Sequence, residues 1–145
     1  MRKSTISATI LAVLIGVAGS ISLVQADDAI LAQREQAMKG MGAQMKTIKD
    51  LVGSGGPAGD VVAPAQKIAE IAATIPGLFP EGSGGDEVRP EIWQNWNDFV
   101  AKAQALGNEA TMLAAAAEGG DMATVGAQFE KVGGACSACH KAYRE

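Results

Sequence analysis

Two cysteines three residues apart and followed directly by histidine, Cys136-Ser137-Ala138-Cys139-His140, constrain this chain more than anything else in it. On a helix, residues three and four apart share a face, so both thiols and the imidazole project to one side. Thiols so placed can add to the two vinyl groups of one porphyrin, while the histidine after the second cysteine is carried under the iron. His140 is the only histidine in the chain, so the proximal ligand has one candidate. A structural disulfide would leave His140 without a role. A thioredoxin-like redox pair would follow a strand and open a helix in a βαβ unit, whereas this motif closes a chain with no strand pattern. Zinc would need a fourth ligand, and no other cysteine or histidine exists to supply it. The motif therefore predicts one covalent haem c, attached through Cys136 and Cys139.

The amino-terminal stretch agrees with that chemistry. Arg2 and Lys3 form a basic n-region, residues 10–17 are an apolar core, and Val24-Gln25-Ala26 offers small residues for cleavage. Residues 1–26 read as a cleaved Sec signal peptide. A retained membrane anchor is the competing reading, but the apolar run is short for a bilayer and is broken by Gly16, Gly19 and Ser20. The expected product is a periplasmic protein of residues 27–145 with no stable membrane insertion, in a compartment that permits cysteine chemistry. Removing Arg2 and Lys3 leaves ten basic against sixteen acidic residues, a formal charge of −6. Nucleic acid is excluded as a partner by that balance, and a basic or locally complementary protein is favoured.

Past the signal, Asp27 and Asp28 are expected to cap a first helix along which Ile30, Leu31, Arg34, Met38, Met41, Met45, Ile48, Leu51 and Val52 repeat at three and four residues. The run from Gly53 to Gly59 ends it. Asp60 is expected to cap a second helix with Val61, Ala65, Ile68, Ile71, Ala72 and Ile75 inward, and Pro64 in or near its first turn. Pro76-Gly77 stops this helix, and a surface connection follows, with Leu78 and Phe79 tucked onto the core. Pro90 and Glu91 open a third helix through Trp93, Trp96, Phe99, Leu106 and Leu113 to Gly119-Gly120. Asp121 caps the fourth, which carries the haem motif. Gly126, Gly133 and Gly134 lie inside that last helix at about 1 kcal/mol each relative to alanine, which marks either the approach of a porphyrin face or a kinked helix. Four helical stretches without a strand predict an all-α, antiparallel up-down-up-down four-helix bundle holding covalent haem.

This pattern resembles the class II c-type cytochromes, which include cytochrome c′ and the low-spin cytochrome c-556. The resemblance rests on C-x-x-C-H near the C-terminus with Tyr143 and Arg144 behind it, on Arg89-Pro90-Glu91-Ile92-Trp93, and on Arg34-Glu35-Gln36-Ala37-Met38. By spacing alone, Met38, Met41 and Met45 are a stripe that core filling explains as well as ligation does. The resemblance implies that Met38, one turn after Arg34, is the distal iron ligand, as in the low-spin group, with Met41 the next candidate and Met112 and Met122 plain core. It also implies that Arg34 pairs with a haem propionate, that Arg144 lies beside the ring near His140, and that two copies can associate through the first two helices. Trp93, Trp96 and Phe99 read as core or subunit interface.

A six-coordinate iron held by His140 and Met38 has no vacant site, so the expected function is electron transfer with periplasmic redox partner proteins and no enzymatic bond chemistry. The alternative is a five-coordinate protein binding nitric oxide or carbon monoxide, with Met38 off the iron. Mass spectrometry of protein matured in a periplasm should find residues 1–26 removed and one haem retained under denaturing conditions. Replacing Cys136 and Cys139 by serine should release that haem, and intact protein without covalent haem would end this reading.

Overall fold

The computed structural model describes residues 20–85 and 87–145, with side chains from Asp28 onward. Residues 1–19, with the n-region and apolar core of the expected signal peptide, lie outside the described residues. Helix α1 spans Ser20–Ser54, α2 Val62–Thr74, α3 Glu91–Gln94, α4 Trp96–Glu118 and α5 Met122–Tyr143, with 3-10 turns at Ala58–Val61 and Ile75–Leu78. The four long helices form the expected antiparallel bundle. α2 packs along α4, α4 along α5, and α1 along α2, while α1 and α5 barely meet.

The core follows the apolar stripes. Ile48, Val61, Ile68, Ile92, Phe99, Leu113, Val125 and Val132 are the large side chains most completely removed from water. Phe99 is the hub, with ring centroids 5.0 Å from Phe79, 5.5 Å from Trp96 and 5.4 Å from Tyr143. The Phe79 and Tyr143 pairs are edge-to-face and the Trp96 pair is tilted; aromatic pairs of this kind are worth about 0.5–1.5 kcal/mol beyond the area they bury. α1 comes close to α2 at Gly40, where a Cβ would lie 3.3 Å from Ile71 Cδ1.

Four expectations change. The helical backbone of α1 runs unbroken from Ser20, so its unsatisfied first-turn donors lie upstream and Asp27 and Asp28 sit inside the helix. Asp60 caps nothing: Pro57 leads into a 3-10 turn in which the Asp60 N–H donates to the Pro57 carbonyl at 3.1 Å, and α2 starts from Val61 without a side-chain cap. The third helix is broken at Asn95, which leaves helical geometry at φ −120° and ψ 42°. Its carbonyl accepts from the Phe99 N–H at 3.0 Å, and the redirected chain lets Trp93 Nε1 donate to the Phe79 carbonyl at 3.1 Å. Met112 is 48% exposed, because it lies between the inward rows that contain Ala110 and Leu113. The α4–α5 turn is as expected: Gly120 takes the φ of +80° that side-chain-bearing residues avoid, and the Asp121 carboxylate accepts from the Ala123 and Thr124 N–H groups.

Phe99→Ala should lower the stability of the haem-loaded protein by about 3–5 kcal/mol, the range for large aromatic deletions in a core. Met112→Ala should stay within about 0.5 kcal/mol of wild type, as expected of a surface change. Denaturant unfolding midpoints at unchanged slope measure both.

Candidate haem-binding site

α5 presents Cys136, Cys139 and His140 in its last two turns, and the helix is continuous through Gly126, Gly133 and Gly134. Both cysteines are partly buried with free thiols, and His140 is exposed. Burial pushes both thiols above their ordinary pKa, with Lys102 pulling Cys139 part of the way back. Among the described residues no group of three or more histidine, cysteine, aspartate and glutamate side chains could hold a metal ion.

Antiparallel register decides what lies level with the motif. Gly126 on α5 sits against Val52 on α1, where a Cβ would be 3.6 Å from Val52 Cγ1. Fourteen residues onward along α5 is His140, and fourteen residues back along α1 is Met38. At 1.5 Å per residue the two lie about 21 Å from the shared contact, at the same height in the bundle. Eighteen residues in the same directions give Arg144 and Arg34. Met38 is partly buried against the edge of the core, whereas Met41 is 8% exposed and sealed within it. Core filling therefore accounts for Met41. Met45 and Met122 pack partly buried along the bundle, away from this level.

The arginines have partners of their own. Arg34 is 7% exposed and donates from Nε to the Leu78 carbonyl at 3.1 Å, from Nη1 to the Gly84 carbonyl at 2.8 Å, and from Nη2 to the Ser83 carbonyl and Oγ, each at 2.8 Å. Its guanidinium lies 4.1 Å from the Phe79 ring centroid, and burial lowers its pKa from the usual arginine value. Arg144 is half exposed, pairs with Glu87 at 2.7 Å, and donates its backbone N–H to the His140 carbonyl.

A cluster beside the motif is not legible in the sequence. The Tyr143 hydroxyl donates to Asp98 Oδ2 at 2.5 Å, and Asp98 accepts from Lys102 Nζ at 3.1 Å. Only the four-residue spacing of Asp98 and Lys102 hints at it; their meeting with Tyr143 is tertiary. Burial first, and the hydrogen bond to Asp98 second, push the Tyr143 phenol up to about 12. The bonds from Tyr143 and Lys102 hold Asp98 below the usual carboxylate range.

The site fits a porphyrin by its donor set and by its space. Thiols and imidazole share one face of α5, and Cβ atoms added at Gly133 or Gly134, just before the motif, would meet nothing within 4 Å. α1, across from α5, stands off rather than closing on it. Such a bundle and such a motif define a class II c-type cytochrome. The profile of the family described as cytochrome C′ matches residues 29–144, and the chain belongs to the cytochrome c′ family, whose cofactor is covalent haem c. It is 34% identical over 122 residues to cytochrome c′ of Pararhodospirillum photometricum, covering 81% of this chain and 98% of that one. It is 36% identical over 115 residues to cytochrome c-556 of Agrobacterium tumefaciens strain II Chrys, covering 77% and 93%. A nitric oxide complex of a leucine-to-alanine mutant of cytochrome c′ from Alcaligenes xylosoxidans superimposes with a TM-score of 0.75 at 30% identity, covering 82% and 95%.

Tyr143 is the chain's only tyrosine, so its ionisation can be followed directly. Its tyrosinate absorbance should appear near pH 12, and a midpoint near the ordinary value of about 10 would mean the ring is not held against Phe99 and Asp98. A raised folded pKa means that the stability Tyr143 confers is complete below about pH 10 and is lost as pH climbs towards 12. The depressed Asp98 acts at the other end, its contribution complete above about pH 4 and lost on further acidification. Asp98→Asn should lower the Tyr143 midpoint only partway, since burial is the larger cause.

Proposed function

We propose that this protein carries electrons in the periplasm through one haem c attached to Cys136 and Cys139, with His140 and Met38 as axial ligands. The observation that supports the reading is the register: counted at helical rise from the contact between Val52 and Gly126, Met38 falls level with His140 on the facing helix. When bound, haem c supplies a reversible one-electron iron couple, whose potential a methionine opposite histidine raises. The chain's residues do the rest. The last turns of α5 orient both thiols and the imidazole together, and the Tyr143–Asp98–Lys102 cluster fixes the end of that helix against α4. Arg144, whose backbone N–H donates to the His140 carbonyl and whose guanidinium pairs with Glu87, is the arginine we assign beside the ring; a propionate approaching Arg34 competes with four hydrogen bonds that it already makes. No residue is assigned a bond-making or bond-breaking role. Periplasmic redox proteins are the partners, and two copies can pair through α1 and α2. Among the described residues no helix is long and apolar enough to cross a membrane.

A second reading is a gas-binding protein in which Met38 stays off the iron. It is supported by the nitric oxide complex of the Alcaligenes relative and by the sparse contact between α1 and α5, which leaves room on the Met38 side.

Spectroscopy separates the two. With Met38 on the iron, wild type is low-spin in both oxidation states and shows the weak long-wavelength thioether-to-iron band. Met38→Leu keeps the packing volume but offers no lone pair, so it should become high-spin. Its carbon monoxide association should quicken on the order of tenfold or more, because the open form no longer competes with a ligated one. Met41→Leu should change little. A wild type that is already high-spin moves the assignment to the gas-binding reading, and a low-spin spectrum untouched by Met38→Leu moves it to Met41 as ligand.

A further inference from the structure

Arg34 is a buried cation whose partners among the described residues are backbone carbonyls and one hydroxyl, with no carboxylate among them. All of those partners belong to the connection between α2 and α3. The same connection is fastened a second time at its far end, on the tail of α5. There the Arg89 N–H donates to the Tyr143 carbonyl at 3.0 Å, the Glu145 N–H donates to the Glu87 carbonyl at 3.3 Å, and Val88 and Arg144 form an antiparallel bridge. One segment is thus tied to α1 one turn before Met38 and to α5 just after His140. The two helices themselves barely meet.

A second line of contact runs beside the first. The Arg34 guanidinium stacks at 4.1 Å on Phe79, Phe79 packs edge-on at 5.0 Å against Phe99, and Phe99 packs edge-on at 5.4 Å against Tyr143. Both lines start at Arg34 and end beside the haem motif. A lysine could not replace it, because only the planar fork of arginine reaches several acceptors at fixed angles.

We infer that Arg34 is a positioning residue: by clamping the α2–α3 connection onto α1 it sets how closely α1 stands to α5, and so how firmly the Met38 sulfur is held over the iron. The inference rests on the ligation proposed above for its spectroscopic consequence, while the clamp itself can be tested without it. If Arg34 served only to pair with a propionate, its loss would alter haem contacts and leave the connection closed.

The experiment uses full-length haem-loaded protein, wild type and Arg34→Lys, with Ser83→Ala as a milder variant should the first fail to accumulate. Hydrogen exchange at the Arg89 and Glu145 amides reads the clamp whatever ligates the iron. It should accelerate by about tenfold or more, the effect of losing a hydrogen bond to a charged group. Unchanged exchange at both amides overturns the inference. The thioether band reads the consequence: it should weaken, with a rising high-spin fraction, in Arg34→Lys. It should vanish in Met38→Leu, whose Arg89 and Glu145 amides stay protected. Faster exchange with an intact thioether band also overturns the inference. If wild type lacks the band, the ligation reading fails by itself. The positioning role is then judged by carbon monoxide association, which should be faster in Arg34→Lys than in wild type; equal rates would refute it.

Discussion

The site depends on how the last turn of α5 is anchored. Phe99, 2% exposed, holds Tyr143 edge-on, and the Tyr143 hydroxyl reaches Asp98 one turn earlier on the same helix as Lys102. Tyr143 lies three residues past His140 and four past Cys139, so fixing its ring fixes the helical face that carries the attachment chemistry. A frayed terminus would leave two thiols and an imidazole to find their positions anew, at an entropic cost of about 1–2 kcal/mol per backbone residue. The bridge of Val88 to Arg144 adds a second tether beyond the helix end. The break at Asn95 belongs to the same device, since it starts α4 where Asp98 and Phe99 can face the tail of α5.

The bundle is uneven by construction. α4 is the central element, packed on both α2 and α5, and its inner face is rich in alanine at Ala103, Ala110, Ala114 and Ala117, which lets helices approach closely. α1 is long and packs mainly on α2; it meets α5 at Val52 and Gly126, and the connection that Arg34 holds joins the two helices at the other end. A bundle with its fourth seam closed by side chains would have no place for a flat group; here α1 and α5 make few contacts, and Gly133 and Gly134 on α5 leave open space just before the motif. Gly133 and Gly134, which weaken α5 as a helix, leave its backbone open just before the motif, a local conflict of the kind expected at functional sites.

Charge is spread in small, mostly exposed pairs. Lys39 with Glu35, Lys46 with Asp50 and Lys67 with Glu70 lie within single helices and contribute little each. Apart from the half-exposed pair of Arg144 with Glu87, the interactions that cross between elements are polar in a different sense. Arg34 reaches loop carbonyls, Gln128 on α5 donates to the Glu109 carboxylate and carbonyl on α4, and Tyr143 donates to Asp98. In a core of alanines and branched aliphatics, which could slide along its helices, such directional contacts fix one register.

By itself the sequence determined the helical class, the turns at Gly53 to Gly59 and at Gly119-Gly120, the Asp121 cap, and the attachment motif with its single histidine. Each of these is set by local chemistry: glycine's backbone freedom, a carboxylate beside free N–H groups, and helical periodicity. The family resemblance placed Met38 and the two arginines near the cofactor, where periodicity alone left Met38 indistinguishable from Met41. Only the tertiary structure decided the rest. It sealed Met41 in the core and left Met38 at its edge, exposed Met112, broke the third helix at Asn95, and gave Arg34 loop carbonyls for partners. The physical reason is the same throughout: partners of Arg34 lie 44 to 50 residues away and those of Tyr143 lie 45 to 48 away. At such separations only helix packing determines which groups meet.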